Sequence, residues 1–183
     1  MLIMLAQAST GLIETWWIAK LGGQSLAGMA LVFPVVMLLT MISAGSLGGG
    51  ISSAVARALG GGRQQEADGL VLHAIVINIV TSTVLSAVFL MFGEQIYSAM
   101  GGQGETLQAA LTYSNVVFAG NVFLWLMNGL ASVIRGTGHM LFPAIVTCVG
   151  TLLLIPLSPL LIFGFGFIPA FGITGGGIAL LIF

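Results

Sequence analysis

GLVLHAIVINIVTSTVLSAVFLMFG, residues 69–93, is a run of 25 residues without a formal charge. As an α-helix at 1.5 Å per residue it would cover about 38 Å, more than the roughly 30 Å of hydrocarbon in a bilayer. Comparable charge-free runs occupy residues 21–56, 106–134 and 136–183. They are continuously apolar and lack the alternation of a membrane β-barrel strand. Across all 183 residues, 58% are hydrophobic and 5% charged, against roughly 25% charged in a soluble domain. Mean hydropathy is +1.15. The composition therefore reads as an all-α membrane protein that crosses the bilayer several times.

Working outward from that stretch, glycine and polar residues punctuate the chain at LGGQ (21–24), GGGRQQEAD (60–68), GEQIYSAMGGQGET (93–106), RGTGHM (135–140) and GFGFIPAFGIT (164–174). The segments between them predict a six-helix bundle, five full transmembrane helices plus a partial sixth, over about 1–19, 25–59, 68–92, 107–133, 141–163 and 175–183. Alternation puts the break after Arg57 and the break after Arg135 on one side. With Arg63 they hold three of the four basic residues, so the loops near Arg57–Asp68 and Arg135–Met140 are expected to be cytoplasmic. Lys20, Glu94 and Glu105 then lie outside. The first segment has no basic leader region and carries a carboxylate, so it does not read as a signal peptide. It has barely enough residues to span, and the last helix stops about nine residues in; the expectation is a fragment truncated at both ends. Cys148 is the one cysteine, which excludes a disulfide framework and reads as a small buried or lipid-facing group. A net charge of −1 gives no nucleic-acid footprint.

Eight of the nine formal charges fall in or beside these breaks; Glu14, in MLIMLAQASTGLIETWWIA (1–19), does not. An ionisable group near the middle of a membrane helix costs roughly 2.5–3.5 kcal/mol on insertion scales, and such groups mark ion, proton or substrate sites. Gln7, Thr10, Gly11 and Glu14 share one helical face, which points that face at a bundle interior. The competing reading is a Glu14 that snorkels outward or pairs with Lys20, about 9 Å along the axis. Ser114, Asn121, Trp125, Asn128 and Ser132 form a second stripe, on the fourth helix. Its asparagines either contact a substrate or hydrogen-bond neighbouring helices, as do Asn78, Thr81 and Ser82 on the third. Gly45, Gly49 and Ser53 make a ridge of small residues suited to close helix packing. Pro34 is expected to kink the second helix. The scattered methionines Met29, Met37, Met41, Met91, Met100 and Met127 serve either core and lipid contacts or an adaptable cavity.

Enzyme constellations are missing, and no metal site is predicted: His73 and His139 have no Cys, Asp or Glu at ligand spacing, and HExxH, CxxC and GxSxG do not occur. The glycines of LGGGR and RGTGH follow helices, where C-capping is the simpler account of them than phosphate binding.

Four stretches in register resemble the multidrug and toxic compound extrusion (MATE) transporters. LIETWWIAKLGGQSLAGMAL (12–31) looks like the family's first-helix signature, and AVARALGGGRQQEA (54–67) like its Gly-rich loop after helix two. RGTGHMLFPA (135–144) resembles the turn between helices four and five. LSPLLIFGFGFIPAFGITGGGIA (157–179) resembles the exit from the fifth helix and entry to the sixth. The resemblance implies one half of a twelve-helix two-lobe transporter, with residues 1–183 as the amino-terminal lobe and the carboxyl-terminal lobe absent. It implies a plasma-membrane antiporter, driven by protons or sodium and without a further cofactor, that exports cationic or amphipathic small molecules.

Glu14 matches the acidic first-helix position that the family usually fills with Asp, and so carries the implied ion coupling. Gln7, Thr10, Asn121, Trp125, Asn128 and Ser158 are candidate cavity-lining residues. The chain departs from the family at Ser158, which stands where many members have Asp before the proline (here Pro159), at Leu154 in place of an Asn, and at His139 in place of a turn Asp. The implied proton network then rests on Glu14, which would alternate between protonated and ionised forms as the cavity dries and floods. Two rivals remain: a flippase of lipid-linked saccharides with the same lobe plan, which should carry more basic cavity residues, and a non-transporting membrane scaffold subunit.

Overall fold

The computed structural model describes residues 2–164 and 169–182, with side chains from residue 9 onward. Among them every regular element is helical: α1 (Leu2–Ala19), α2 (Gly23–Thr40), a π-helical segment (Met41–Leu47), α3 (Gly48–Gly60), α4 (Gln64–Ala99), α5 (Gly104–Gly136), α6 (Leu141–Phe163) and α7 (Ile173–Ile182). The six expected helices are all present. The second is one unbroken run, Gly23–Gly60, with an irregular middle. That run and Gln64–Ala99, Gly104–Gly136 and Leu141–Phe163 are each long and apolar enough to cross a membrane. The fifth expected break, 164–174, falls partly on residues 165–168, outside the described residues. Gly62 (φ 71°) and Gly138 (φ 89°) end their helices in the left-handed region, which supports the capping reading of LGGGR and RGTGH.

α5 is the hub. α4 lies along most of it, α2 and α3 follow one another down a second side, and α7 takes a third; α1 packs mainly on α6. Lipid offers no hydrophobic drive between helices, so contact relies on close backbone approach and neutral hydrogen bonds. α4 makes this visible. Its buried face is Ala67, Ala74, Asn78, Ser82, Ser86, Gly93 and Tyr97, while bulky Leu72, Val80, Val84 and Met91 point outward. A Cβ added at Gly129 of α5 would lie 2.5 Å from the Asn78 Nδ2, and one at Gly28 of α2 would lie 2.7 Å from the Ala109 Cβ. A side chain at Gly28 would meet the backbone of α5, and one at Gly129 would have to displace the Asn78 amide.

The expected packing ridge Gly45–Gly49–Ser53 is a correction. All three are exposed, and among the described residues no other element comes within 4 Å of a Cβ placed at Gly45 or Gly49. The seat is one residue away, at Gly48, where a Cβ would come 2.5 Å from the Ser132 Oγ. The π segment explains the offset. α2 buries Gly28, Met29, Val32 and Leu39, and α3 buries Gly48, Val55 and Ala58. On an uninterrupted α-helix at 100° per residue those faces would lie roughly 130° apart. One extra residue taken up by the wide π turn returns about 100°, so both halves present their buried faces to α5. α2 continues as helix through Pro34; the irregularity starts seven residues later, at Met41.

Candidate functional site

Helix α1 carries Glu14 into the protein interior, where the residue is 2% exposed. The Tyr113 hydroxyl, near the start of α5, donates a 2.9 Å hydrogen bond to the Glu14 Oε1. Tyr113 is itself 2% exposed. Ile18 of α1, Ile162 of α6 and Tyr113 belong to one apolar cluster that closes around the pair. α7 closes the remaining side with backbone, because three successive glycines each meet a different helix. A Cβ at Gly175 would collide with the Leu161 carbonyl oxygen of α6. One at Gly176 would lie 2.9 Å from the Ile18 Cδ1 and 3.5 Å from the Glu14 Oε1 of α1, and one at Gly177 3.1 Å from the Val116 Cγ1 of α5.

Other groups hold α1 in place. Thr10 is buried, and its Oγ1 lies 3.4 Å from the Thr151 Oγ1 of α6, which donates onward to the Thr147 carbonyl. Ser158, two turns further along α6, is fully buried, and its Oγ has no hydrogen-bond partner among the described residues. The side chain of Gln7 lies outside the described residues. Lys20 does not pair with Glu14. Its Nζ stacks 3.8 Å from the Trp16 ring centroid and 4.6 Å from that of Trp17, a cation–π arrangement at the helix end. Among the described residues the one ion pair is exposed Arg63–Glu66, at 2.8 Å, so Glu14 has a hydroxyl partner and no cationic one.

Asn121, Trp125 and Asn128 come together elsewhere. With Val36, Leu39 and Thr40 of α2 and Val117, Phe118 and Leu124 of α5 they line a cavity of about 10 Å³, room for about one water molecule. Among the described residues none of α1, α6 or α7 lines it. Asn121 donates to the Ser86 Oγ at 3.1 Å, joining α5 to α4. Trp125, 1% exposed, packs with Leu39 and Phe118. This cavity is far too small for a drug-sized ligand.

Sequence reasoning missed Tyr113. It is 99 residues from Glu14, beyond any local spacing rule. The available signal was that a tyrosine inside an apolar run needs a partner for its hydroxyl. Among the described residues no three His, Cys, Asp or Glu side chains converge to hold a metal. What the Glu14 pair can do is take up or release a proton, or hold a monovalent cation when ionised.

The MatE family profile matches residues 1–160. A FAD transporter of Shewanella oneidensis is 30% identical over 170 residues, which are 93% of this chain and 37% of that protein. Two solved structures, the outward-facing and inward-facing conformations of a multidrug resistance MATE family transporter of the MOP superfamily, superpose with TM-scores of 0.88 and 0.89. Each is 30% identical; they cover 98% and 96% of this chain and 39% of their own. The chain thus spans well under half the length of the proteins it matches.

Proposed function

The chain belongs to the MatE family, and from that premise we propose that it is the amino-terminal lobe of an ion-coupled antiporter exporting cationic or amphipathic compounds. Membership makes it a membrane transport protein; the lobe assignment, the coupling and the substrate class are the proposal. The observation that carries it is Glu14: a carboxyl 2% exposed inside an apolar bundle, bonded to Tyr113 and facing no cation among the described residues. A buried acid without a counter-charge is expensive in a membrane, and a coupling role accounts for that expense.

Glu14 would carry the proton or sodium ion. When the lobe meets water the ionised carboxylate, held by the Tyr113 hydroxyl, attracts the coupling cation; when it closes, the neutral or cation-paired form is the one that fits an apolar enclosure. The substrate would sit outside this lobe's interior, since the cavity beside Asn121, Trp125 and Asn128 holds about 10 Å³; a surface shared with a second lobe is the general transporter plan. Gln7, Thr10 and Ser158 would support Glu14. Near-equal likeness to outward- and inward-facing relatives supports motion of the lobe as a unit. The Arg57 and Arg135 ends would be cytoplasmic in the plasma membrane.

One test is substrate-driven proton or sodium movement in proteoliposomes of the full-length protein, with ethidium in one arm and FAD in the other. Glu14→Gln should insert normally and abolish the coupled ion movement; unchanged coupling in that variant would remove Glu14 from the mechanism. Preference for FAD over ethidium would replace the cationic substrate class with the dinucleotide handled by the Shewanella relative.

A further inference from the structure

The π segment between α2 and α3 carries two marks of an arrangement held in balance. Ser43 is fully buried, and among the described residues its Oγ has no hydrogen-bond partner. Neighbouring hydroxyls on the same run are satisfied within their own helix: Thr40 donates to the Val36 carbonyl at 2.8 Å, Ser52 to Gly49 at 3.1 Å and Ser53 to Gly50 at 3.0 Å. The outer side of the segment is also unobstructed. Among the described residues no other element comes within 4 Å of a Cβ placed at Gly45, Gly49 or Gly50.

Helical phase shows where the segment can go. Measured on the phase of α2, Ser43 lies within about 20° of the buried face; on the phase of α3, Ala44 lies within about 10° of it and Ser43 about 110° away. The π turn decides which phase applies to residues 41–47. In the structure the segment runs from Met41 to Leu47 with Ser43 inside it; the Ser43 carbonyl accepts the Gly48 amide at its C-terminal end, and Ser43 is buried. Moved one turn toward α2, the π turn would put these residues on the phase of α3.

We propose that the π segment is a movable joint, and that its displacement by one turn toward α2 exchanges Ser43 for Ala44 on the face that meets α5. The exchange leaves the outer seat Gly28–Ala109 and the inner seat Gly48–Ser132 in place, so α2 and α3 keep their partners. The inward register buries a hydroxyl without a partner, and the shifted one replaces it with a methyl group; the orphan hydroxyl works against the register seen, which keeps both within reach. Because only the residues passed by the turn rotate, the Cα trace of the lobe changes little.

The test is methyl NMR of alanine-labelled, full-length protein in lipid nanodiscs. The Ala44 methyl should show two states exchanging on the microsecond-to-millisecond scale expected of helix register shifts. Deleting Ser46 removes the surplus residue while keeping the buried faces of α2 and α3 aligned, and should collapse Ala44 to one sharp signal. A single static Ala44 signal in the unaltered protein would overturn the proposal, and so would exchange that survives the deletion. Should the deletion variant not fold, Ser43→Ala decides: losing the orphan hydroxyl should lower the shifted population at least threefold, and an unchanged population counts against the joint.

Discussion

Two polar regions lie buried in this lobe, and they differ in how their polarity is met. Along the α4–α5 seam the groups are neutral. Asn78 donates to the Ala74 carbonyl at 2.7 Å, Ser82 to Ile79 at 3.1 Å, and Asn121 crosses to Ser86 at 3.1 Å. At the α1–α5 contact the group is an acid, and its side-chain partner comes from 99 residues away. Neutral groups that bond within a helix or to the next one join helices at modest cost; a carboxyl enclosed by Ile18, Ile162 and a glycine backbone gains nothing for packing that a leucine would not supply better. Polarity inside a membrane helix therefore does not identify a site, whereas chargeable polarity that packing does not need does.

Substitutions can break that contrast, and the strongest is Glu14→Gln. It should abolish coupled ion movement in proteoliposomes while leaving insertion and helix content unchanged, because the amide keeps the size and the bond from Tyr113. Tyr113→Phe removes one hydrogen bond to the carboxyl, of a kind worth about 1.5–3 kcal/mol, and should slow coupled transport about 10- to 100-fold. Stopped-flow pH measurements on matched protein amounts would show it. Gly129→Ala in the neutral seam sets a Cβ against the Asn78 amide; overpacking of this kind costs about 1–3 kcal/mol, visible in unfolding from bicelles, with transport per folded molecule unchanged. Asn121→Ala should be the mildest, costing about 0.6 kcal/mol, the average for such interhelical bonds. If Asn121→Ala instead stopped transport while stability held, the two regions would be one site and the distinction drawn here would fail.

The fold was legible because a bilayer imposes length and continuity: charge-free runs of 25 residues and more, separated by glycine and polar breaks, admit one architecture. Glu14 was legible for the same reason, as the one charge removed from every break. Three features were not. Tyr113 belongs to the site through a contact between distant helices, which no spacing encodes. The expected ridge Gly45–Gly49–Ser53 has the right spacing but the wrong phase, because the π turn rotates Gly48 into the seat. The place of Lys20, on Trp16 and Trp17 and away from Glu14, depended on which neighbour lay nearer once the helix formed. Local spacing describes a regular helix, and each of these turned on an irregularity or on a partner from elsewhere in the chain.

The Lys20–Trp16–Trp17 stack also acts as a depth gauge. Lysine and tryptophan settle where hydrocarbon meets headgroups, so the stack pins one end of α1 to that boundary. Glu14 lies two and three residues from the tryptophans and six from Lys20, so it sits within about 9 Å of that boundary along the helix. The immersion of the acid is then fixed by the short stretch of α1 between it and the stack. Inserting or deleting a residue between 15 and 19 would resubmerge or surface the carboxyl and also swing it off Tyr113, whereas a thicker or thinner bilayer should be absorbed at the far end of α1.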